Sequence, residues 1–304
     1  MPDSAAVFTL SDLESWSAPG VNLAVLGHPI KHSLSPAMHN AALATLAGTD
    51  PRFHDWRYSR FDIHPDDLPR ALELFHAKKF RGLNLTVPHK VIAFGRVAEI
   101  DAAAQSVGAV NTLDWTQAGW KGFNTDGYGL TSGVRATLGR DLATSPVILL
   151  GAGGAARGAA VECLRLGCPA LWIANRTREN LESLLSALTP LARNTQLEGF
   201  FPGTPVHFPP GTLVINATSA GLRPADPAPI DLAALPRPAG VYDMIDNPPR
   251  TSLLLQAEKM GIPWANGLTM LVHQGAKSLE VWTGVPASRT APTMLAAAQA
   301  ALGA

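Results

Sequence analysis

Short apolar runs alternate along this chain with longer stretches whose apolar residues return every third or fourth position, and that alternation predicts strands interleaved with helices. Asn22–Leu26, Arg52–Tyr58, Gly82–Leu85, Val107–Leu113 and Trp120–Phe123 read as strands. Ser35 followed by Pro36 reads as an N-cap and first helical position for a helix over Ala37–Leu46. Asp66–Ala77 places Leu68, Ala71, Leu72 and Phe75 on one face, the spacing of a helix packed on a core. From Asp126 onward the alternation becomes regular. A helix over Asp126–Leu138 precedes the apolar strand Pro146–Leu150, a glycine-rich turn and a helix to Leu166. Strands follow at Leu171–Ala174, Leu213–Ala217 and Val241–Ile245, with helices at Glu179–Leu188 and Ser252–Met260. This is the order of a doubly wound parallel sheet. The tail from Gly267 to Ala304 is helical in pattern, and Pro224–Pro238 reads as a loop.

Composition narrows the class. The 304 residues exceed one average domain, and 46% apolar against 16% charged residues supports buried cores rather than disorder. The 24 basic and 24 acidic side chains cancel, and no block of like charge occurs, so a nucleic-acid partner is not expected. A small molecule held by local charges is. Cys163 and Cys168 have no second pair to complete a metal site or a disulfide framework. No metal is expected, and both cysteines read as packing residues in a reducing, cytoplasmic setting. The N-terminal stretch lacks a basic region and carries acids early, unlike a signal peptide. The uncharged stretch Phe201–Leu222 is broken by Pro, Gly and Asn residues, so no membrane span is expected.

The glycine-rich turn carries the first chemistry. Gly151-Ala152-Gly153-Gly154-Ala155-Ala156 follows an apolar strand and opens a helix. Gly151 suits a tight turn, Gly153 admits a pyrophosphate close to the backbone, and the small Ala156 lets helix and strand approach. The helix N-terminus offers free N–H groups to phosphates. The next strand ends in Asn175-Arg176-Thr177-Arg178. No acid stands there to bind a ribose 2′-hydroxyl and repel a 2′-phosphate, while two guanidinium groups can pair with that phosphate. NADP is therefore the expected cofactor.

Four polar motifs cluster in the first part of the chain: Gly27–Asn40 with Ser33-Leu-Ser35-Pro36, Gly82–Lys90 with Asn84-Leu-Thr86-Val-Pro88-His-Lys90, Gly108–Thr112 with Asn111, and Gly122–Gly127 with Asn124-Thr125-Asp126. Each falls in or just past the end of a predicted strand, where open α/β sheets bind ligands. Hydroxyls, amides, one ammonium and one carboxylate suit a small polyhydroxylated acid. Together with Asn216-Ala-Thr-Ser-Ala-Gly221, Tyr242-Asp-Met244 and Gly267–Ala276, the set closely resembles the shikimate dehydrogenase family over Val21 to Gly284. The resemblance implies two α/β domains: a substrate-binding and catalytic domain over 1–125 plus 267–304, and a Rossmann-like NADP-binding domain over 126–266. Substrate and nicotinamide would meet in the cleft between them. It implies reversible NADPH-dependent reduction of 3-dehydroshikimate to shikimate, a step toward chorismate and the aromatic amino acids, by a monomer or homodimer. Carried over by resemblance, Ser33 and Ser35 would bind the substrate carboxylate. Thr86, Asn111, Asp126 and Gln274 would bind its hydroxyls. Lys90 would be the acid–base group, working with Asp126. Gly151, Ala152, Gly153, Gly154, Ala155, Asn175, Arg176, Thr177, Arg178, Met244 and Gly267 would line the cofactor.

The chemistry agrees with the residue types. Oxidation of a secondary alcohol needs a proton to leave oxygen as hydride leaves carbon, and an ammonium beside that oxygen stabilises the developing alkoxide. His32, His39, His89 and His273 share no metal-ligand spacing and read as structural. Two positions depart from the family pattern. Asp246 stands where the family usually has a substrate-contacting tyrosine, and Asn180 where an arginine is common. A stretch over Met1–Pro19 has no assigned counterpart. The alternatives kept open are a quinate/shikimate dehydrogenase with relaxed cofactor or substrate choice, and a catalytically silent NADP-binding homologue.

Overall fold

The computed structural model describes residues 6–204, 206–223 and 225–303. Met1–Ala5, within the N-terminal stretch, and Pro224, the first residue of the expected loop, lie outside them. The chain divides into two compact units, residues 1–125 with 274–304, and residues 126–273. The sequence places the chain's return at Gly267; this division counts it from Gln274, inside a helix.

The first unit contains α1 (Leu10–Glu14), β1 (Val21–Gly27), α2 (Ser35–Ala47), β2 (Trp56–Asp62), α3 (Leu68–Ala77), β3 (Gly82–Leu85), α4 (His89–Phe94), β4 (Glu99–Ile100), α5 (Ala102–Val107), β5 (Thr112–Thr116) and β6 (Gly119–Phe123). Its sheet runs β2-β1-β3-β5-β6-β4. β2 and β3 flank β1 in parallel, β5 lies antiparallel to β3 and β6, and β4 is parallel to β6. Phe61, Phe75 and Phe80 meet edge to face below it, with centroids 4.9 Å apart for Phe61–Phe75 and 4.7 Å for Phe75–Phe80. The stretch before β1 docks on β2. Phe8 bridges to Phe61, its N–H donates to the Arg60 carbonyl (3.0 Å), and Trp16 packs on both rings. Part of an edge strand is thereby covered.

Three sequence expectations need correction here. Ser35 is not an N-cap: the helix already includes it, Leu34 holds the cap position, and no side-chain cap bond forms. Arg52 and Phe53 are not strand. Pro51 starts a single 3-10 turn whose Asp50 carboxylate accepts from the Arg52 N–H, so β2 begins only at Trp56. Val107 is not strand either. Asp101 caps α5, which ends at Val107 and is closed by Gly108 in the left-handed region (φ 76°), deferring β5 to Thr112.

The second unit contains α6 (Asp126–Leu138), β7 (Val147–Leu150), α7 (Gly154–Leu166), β8 (Ala170–Ala174), α8 (Arg178–Leu188), β9 (Gln196–Phe200), β10 (Leu213–Asn216), β11 (Gly240–Asp243), α9 (Ser252–Lys259) and β12 (Trp264–Ala265). All pairings in its sheet are parallel, in the order β12-β11-β10-β7-β8-β9. From β7 the chain winds one way to β8 and β9, then returns past it to β10, β11 and β12. The strand ends of β7 and β10 thus form a topological switch point, where such sheets bind ligands. β7, β8, β10 and β11 are buried on both faces, as parallel strands under helices must be. The chain ends in α10 (Leu268–Thr283) and α11 (Ala287–Leu302). Among the described residues, no helix is long and apolar enough to cross a membrane.

One core group in the first unit gives stability a pH dependence. His39, on α2, is fully buried and stacks on Tyr58 with centroids 4.1 Å apart and planes 3° from parallel. Neither ring nitrogen finds a hydrogen-bond partner, and burial pushes its pKa down to about 3. In the unfolded chain a histidine titrates near its ordinary value, about 6.5. Between those values the unfolded chain binds a proton that the folded one refuses, so stability falls as pH drops from about 6.5 toward 3. His39→Phe, which keeps a stacked ring, is expected to flatten the dependence of melting temperature on pH between about 6.5 and 4. An unchanged slope contradicts this reading of His39.

Candidate active site

In the first unit the strand ends carry a continuous buried polar layer. Asn84, the third residue of β3, is 6% exposed. Its amide nitrogen donates to the Asn111 carbonyl (3.1 Å), Thr112 Oγ1 (3.1 Å) and Ser278 Oγ (2.9 Å), and its oxygen accepts from the Tyr58 hydroxyl (2.7 Å). Asn111 donates to Thr125 Oγ1 (2.9 Å) and Gln274 Oε1 (3.3 Å), while its oxygen accepts from the Thr125 N–H (2.9 Å). Ser278 stands one helical turn after Gln274 on α10, and its hydroxyl donates to the Gln274 carbonyl (3.0 Å). Two expected site residues, Asn111 and Gln274, are therefore in direct contact. Tyr58 and Ser278 support them without having been singled out. A hydroxyl one turn beyond Gln274 on a predicted helix was the available signal for Ser278.

The serine loop lies between β1 and α2. Ser33 Oγ accepts from the Ser35 N–H (3.3 Å). Ser35 is buried and Ser33 half-buried. Thr86 follows β3 directly. Its carbonyl accepts from the His89 N–H (2.8 Å), which folds the chain into α4. A side chain at Gly27 would sit 2.4 Å from the Thr86 methyl, so glycine is needed where β1 passes this threonine. Lys90 is the second residue of α4 and half-buried, between the exposed Val87 and Val91. Its carbonyl accepts from the Val110 N–H (3.0 Å), tying α4 to the segment that presents Asn111.

In the second unit, Asp126 opens α6 and is half-buried. Gly151 takes φ 111° at the end of β7, and its N–H donates to the Ala174 carbonyl (2.8 Å). A side chain there would be strained in backbone and crowded by the Ala217 carbonyl at 3.1 Å. Gly153 caps α7, and Gly153, Gly154 and Ala155 are exposed. A Cβ at Gly153 or Gly154 would meet nothing within 4 Å, whereas Ala156 is fully buried against the sheet. A cavity of about 210 Å³ opens there, lined by Ala152, Gly153, Gly154, Arg157, Asn180 and Ser183 among others. Arg157, a third arginine beside the expected Arg176 and Arg178, lines this cavity and was not singled out. Asn175 donates to the Thr177 carbonyl (2.9 Å) and so shapes the exposed turn Arg176-Thr177-Arg178. Arg178 lies over the Phe201 ring at 4.8 Å and pairs with Glu182 at 3.2 Å. The open glycine cradle with Arg157 beside it fits a dinucleotide phosphate.

Met244 and Gly267 are brought together. The Gly267 N–H donates to the Ile245 carbonyl (2.9 Å), and a Cβ at Gly267 would lie 2.2 Å from the Met244 carbonyl oxygen. Behind them Asp243 is fully buried and accepts from Asn216 (2.9 Å), Thr251 (2.7 Å) and the Ile245 N–H (3.1 Å). Burial pushes its carboxyl pKa up against those bonds. Burial likewise raises Asp246.

The matching family models and the curated relatives agree on one family. The family model described as the shikimate dehydrogenase substrate binding domain matches residues 25–113, and that of the shikimate 5'-dehydrogenase C-terminal domain matches residues 267–299. The chain is 38% identical to the shikimate dehydrogenase (NADP(+)) of Citrifermentans bemidjiense, over 86% of this chain and 89% of that protein. It is also 38% identical to that of Thermosynechococcus vestitus, over 92% and 96%. Among solved structures, shikimate 5-dehydrogenase from Thermus thermophilus in complex with NADP(H) and shikimate superposes with a TM-score of 0.78 at 33% identity, covering 92% of this chain and 99% of that one. A 5-ketofructose reductase from a Gluconobacter strain superposes with a TM-score of 0.80 at 30% identity, covering 91% and 99%.

Proposed function

The chain belongs to the shikimate dehydrogenase family, and on that premise we propose that it reduces 3-dehydroshikimate reversibly to shikimate with NADPH, using Lys90 and Asp126 as its reacting pair. The observation that carries this reading is the buried layer in which Asn111 and Gln274 are held beside strand ends that also present Thr86 and the serine loop. Such a layer offers fixed donors and acceptors to a ring bearing several hydroxyls and one carboxylate.

NADPH, when bound, supplies the hydride that adds to the ketone carbon. The protein must then deliver one proton to the ketone oxygen. Lys90 holds that oxygen through its ammonium, stabilises the negative charge that grows on it and releases the proton to it. Asp126 accepts from a substrate hydroxyl. Ser33 and Ser35 donate to the substrate carboxylate, and Thr86, Asn111 and Gln274 fix the hydroxyls. Gly151–Ala155 take the pyrophosphate, Asn175–Arg178 take the adenosine 2′-phosphate, and Met244 with Gly267 border the nicotinamide. The enzyme works in the cytoplasm, as a monomer or a homodimer.

The arginine turn gives this reading a test independent of the chemical step. Arg176→Ala with Arg178→Ala is expected to raise KM for NADP+ by about tenfold or more, while KM for NAD+ changes little, because each charged hydrogen bond contributes about 1.5–3 kcal/mol only where the 2′-phosphate exists. Equal losses with both cofactors would remove the pair from 2′-phosphate recognition.

A further inference from the structure

Beyond its internal bonds, in which the Ser33 N–H donates to the Ile30 carbonyl (3.0 Å) and the Ser35 N–H to Ser33 Oγ, the serine loop is held by one face of β2. Side chains two apart on a strand share a face, so Tyr58, Arg60 and Asp62 project together. Two of them engage the stretch between β1 and α2: Asp62 pairs with His28 at 2.6 Å, and Arg60 takes the loop that follows. Arg60 as a whole is only 8% exposed. One of its terminal nitrogens donates to the Lys31 carbonyl and to the Ser33 carbonyl (3.4 Å), and its Nε donates to the Ala6 carbonyl (3.2 Å).

A guanidinium so far from water is costly unless its donors are used, and backbone carbonyls in a rigid fork use them well. The peptide plane makes the arrangement directional. With the Lys31 and Ser33 carbonyls turned toward Arg60, the following N–H groups of His32 and Leu34 point the opposite way. The loop's face away from Arg60 is therefore a donor face. The cation behind it adds a positive potential, little screened by solvent, at the place where an anionic group would sit.

We propose that Arg60 is the positioning residue of the carboxylate site: it fixes the Lys31–Ser33 backbone so that Ser33 and Ser35 meet an anionic substrate, and it couples that loop to residues ahead of β1 through Ala6. This rests on the carboxylate role proposed above for the two serines.

The test compares shikimate with its neutral methyl ester, using the ratio of their kcat/KM values as the acid preference. Ser33→Ala and Ser35→Ala are expected to lower that preference, which checks the underlying role. Arg60→Met should lower it by about tenfold or more, the size of one charge-assisted interaction. Its kcat/KM on the ester should fall by much less than that on the acid, and its KM for NADP+ should stay near the parent value, a split that a merely structural loss would not give. Arg60→Lys keeps the charge but not the fork, and should lose about three- to tenfold in preference; it is read alone if Arg60→Met does not fold. Undiminished preference in the Arg60 variants, with the serine variants impaired, overturns the inference. Undiminished preference in the serine variants overturns the carboxylate role and the inference with it.

Discussion

Lys90→Ala is expected to lower kcat for shikimate oxidation by about 10²–10⁴, the usual worth of a positioned acid–base group. NADP+ affinity should stay within about twofold, since pyrophosphate and 2′-phosphate recognition are assigned to other residues. Lys90 stands beside the segment that presents Asn111. It is half-buried, on the first turn of α4, at the end of a motif whose Thr86 and Pro88 shape that turn. Its backbone is tied to Val110, one residue before Asn111, so the segments that carry the ammonium and the hydroxyl-binding amide move together. Truncation to alanine removes the ammonium and leaves that tie in place. KM for shikimate should therefore change less than kcat. Stopped-flow and steady-state rates, with NADP+ titrated separately by fluorescence, separate the two. Parent-level turnover would remove Lys90 from the chemistry.

Asn84→Ala should have the largest effect on stability. The amide is the hub of the buried layer: Tyr58, Thr112, Ser278 and the Asn111 carbonyl all bond to it. Those partners have no access to bulk water, Tyr58 being 3% exposed and Thr112 and Ser278 fully buried. Removing the hub leaves several polar groups unsatisfied, at about 1–3 kcal/mol each before relaxation. Some rebond to one another, as Thr112 and Ser278 already do at 2.7 Å, so a net loss of about 3–4 kcal/mol is expected. In a unit of this size that corresponds to roughly 10 °C in melting temperature. The kcat/KM for shikimate should fall with it, because Asn111 and Gln274 lose their common anchor. A melting temperature within about 2 °C of the parent would show that the layer does not depend on Asn84.

The sequence was informative where a signal was both local and strong. β3 and α6 coincide with their predicted spans, Gly82–Leu85 and Asp126–Leu138. The apolar strand and glycine turn before α7 were equally plain, since strand end, tight turn and helix start are all set by neighbours in sequence. Errors arose where turn chemistry outweighed apolar content. Pro51 with its Asp50 cap delays β2, and Asp101 with Gly108 builds α5 out of residues that read as strand. Edge strands such as β9, exposed apart from a half-buried Leu197 and a buried Phe200, carried too little apolar pattern to be seen. Within the site, residues in short motifs were legible because hydroxyls and amides sit just past strands. Their supports were not. Asn84 reaches Ser278 across 194 positions, and Arg60 reaches Ser33 across 27. Nothing near Arg60 in the chain announces a buried guanidinium, since only the fold brings its carbonyl partners to it.

The central claim is tested most directly by the initial rate of NADP+ reduction on adding shikimate to the intact protein. The account predicts saturable turnover with shikimate, faster than with quinate and faster with NADP+ than with NAD+. Tight binding of NADP+ with no turnover of shikimate would contradict it.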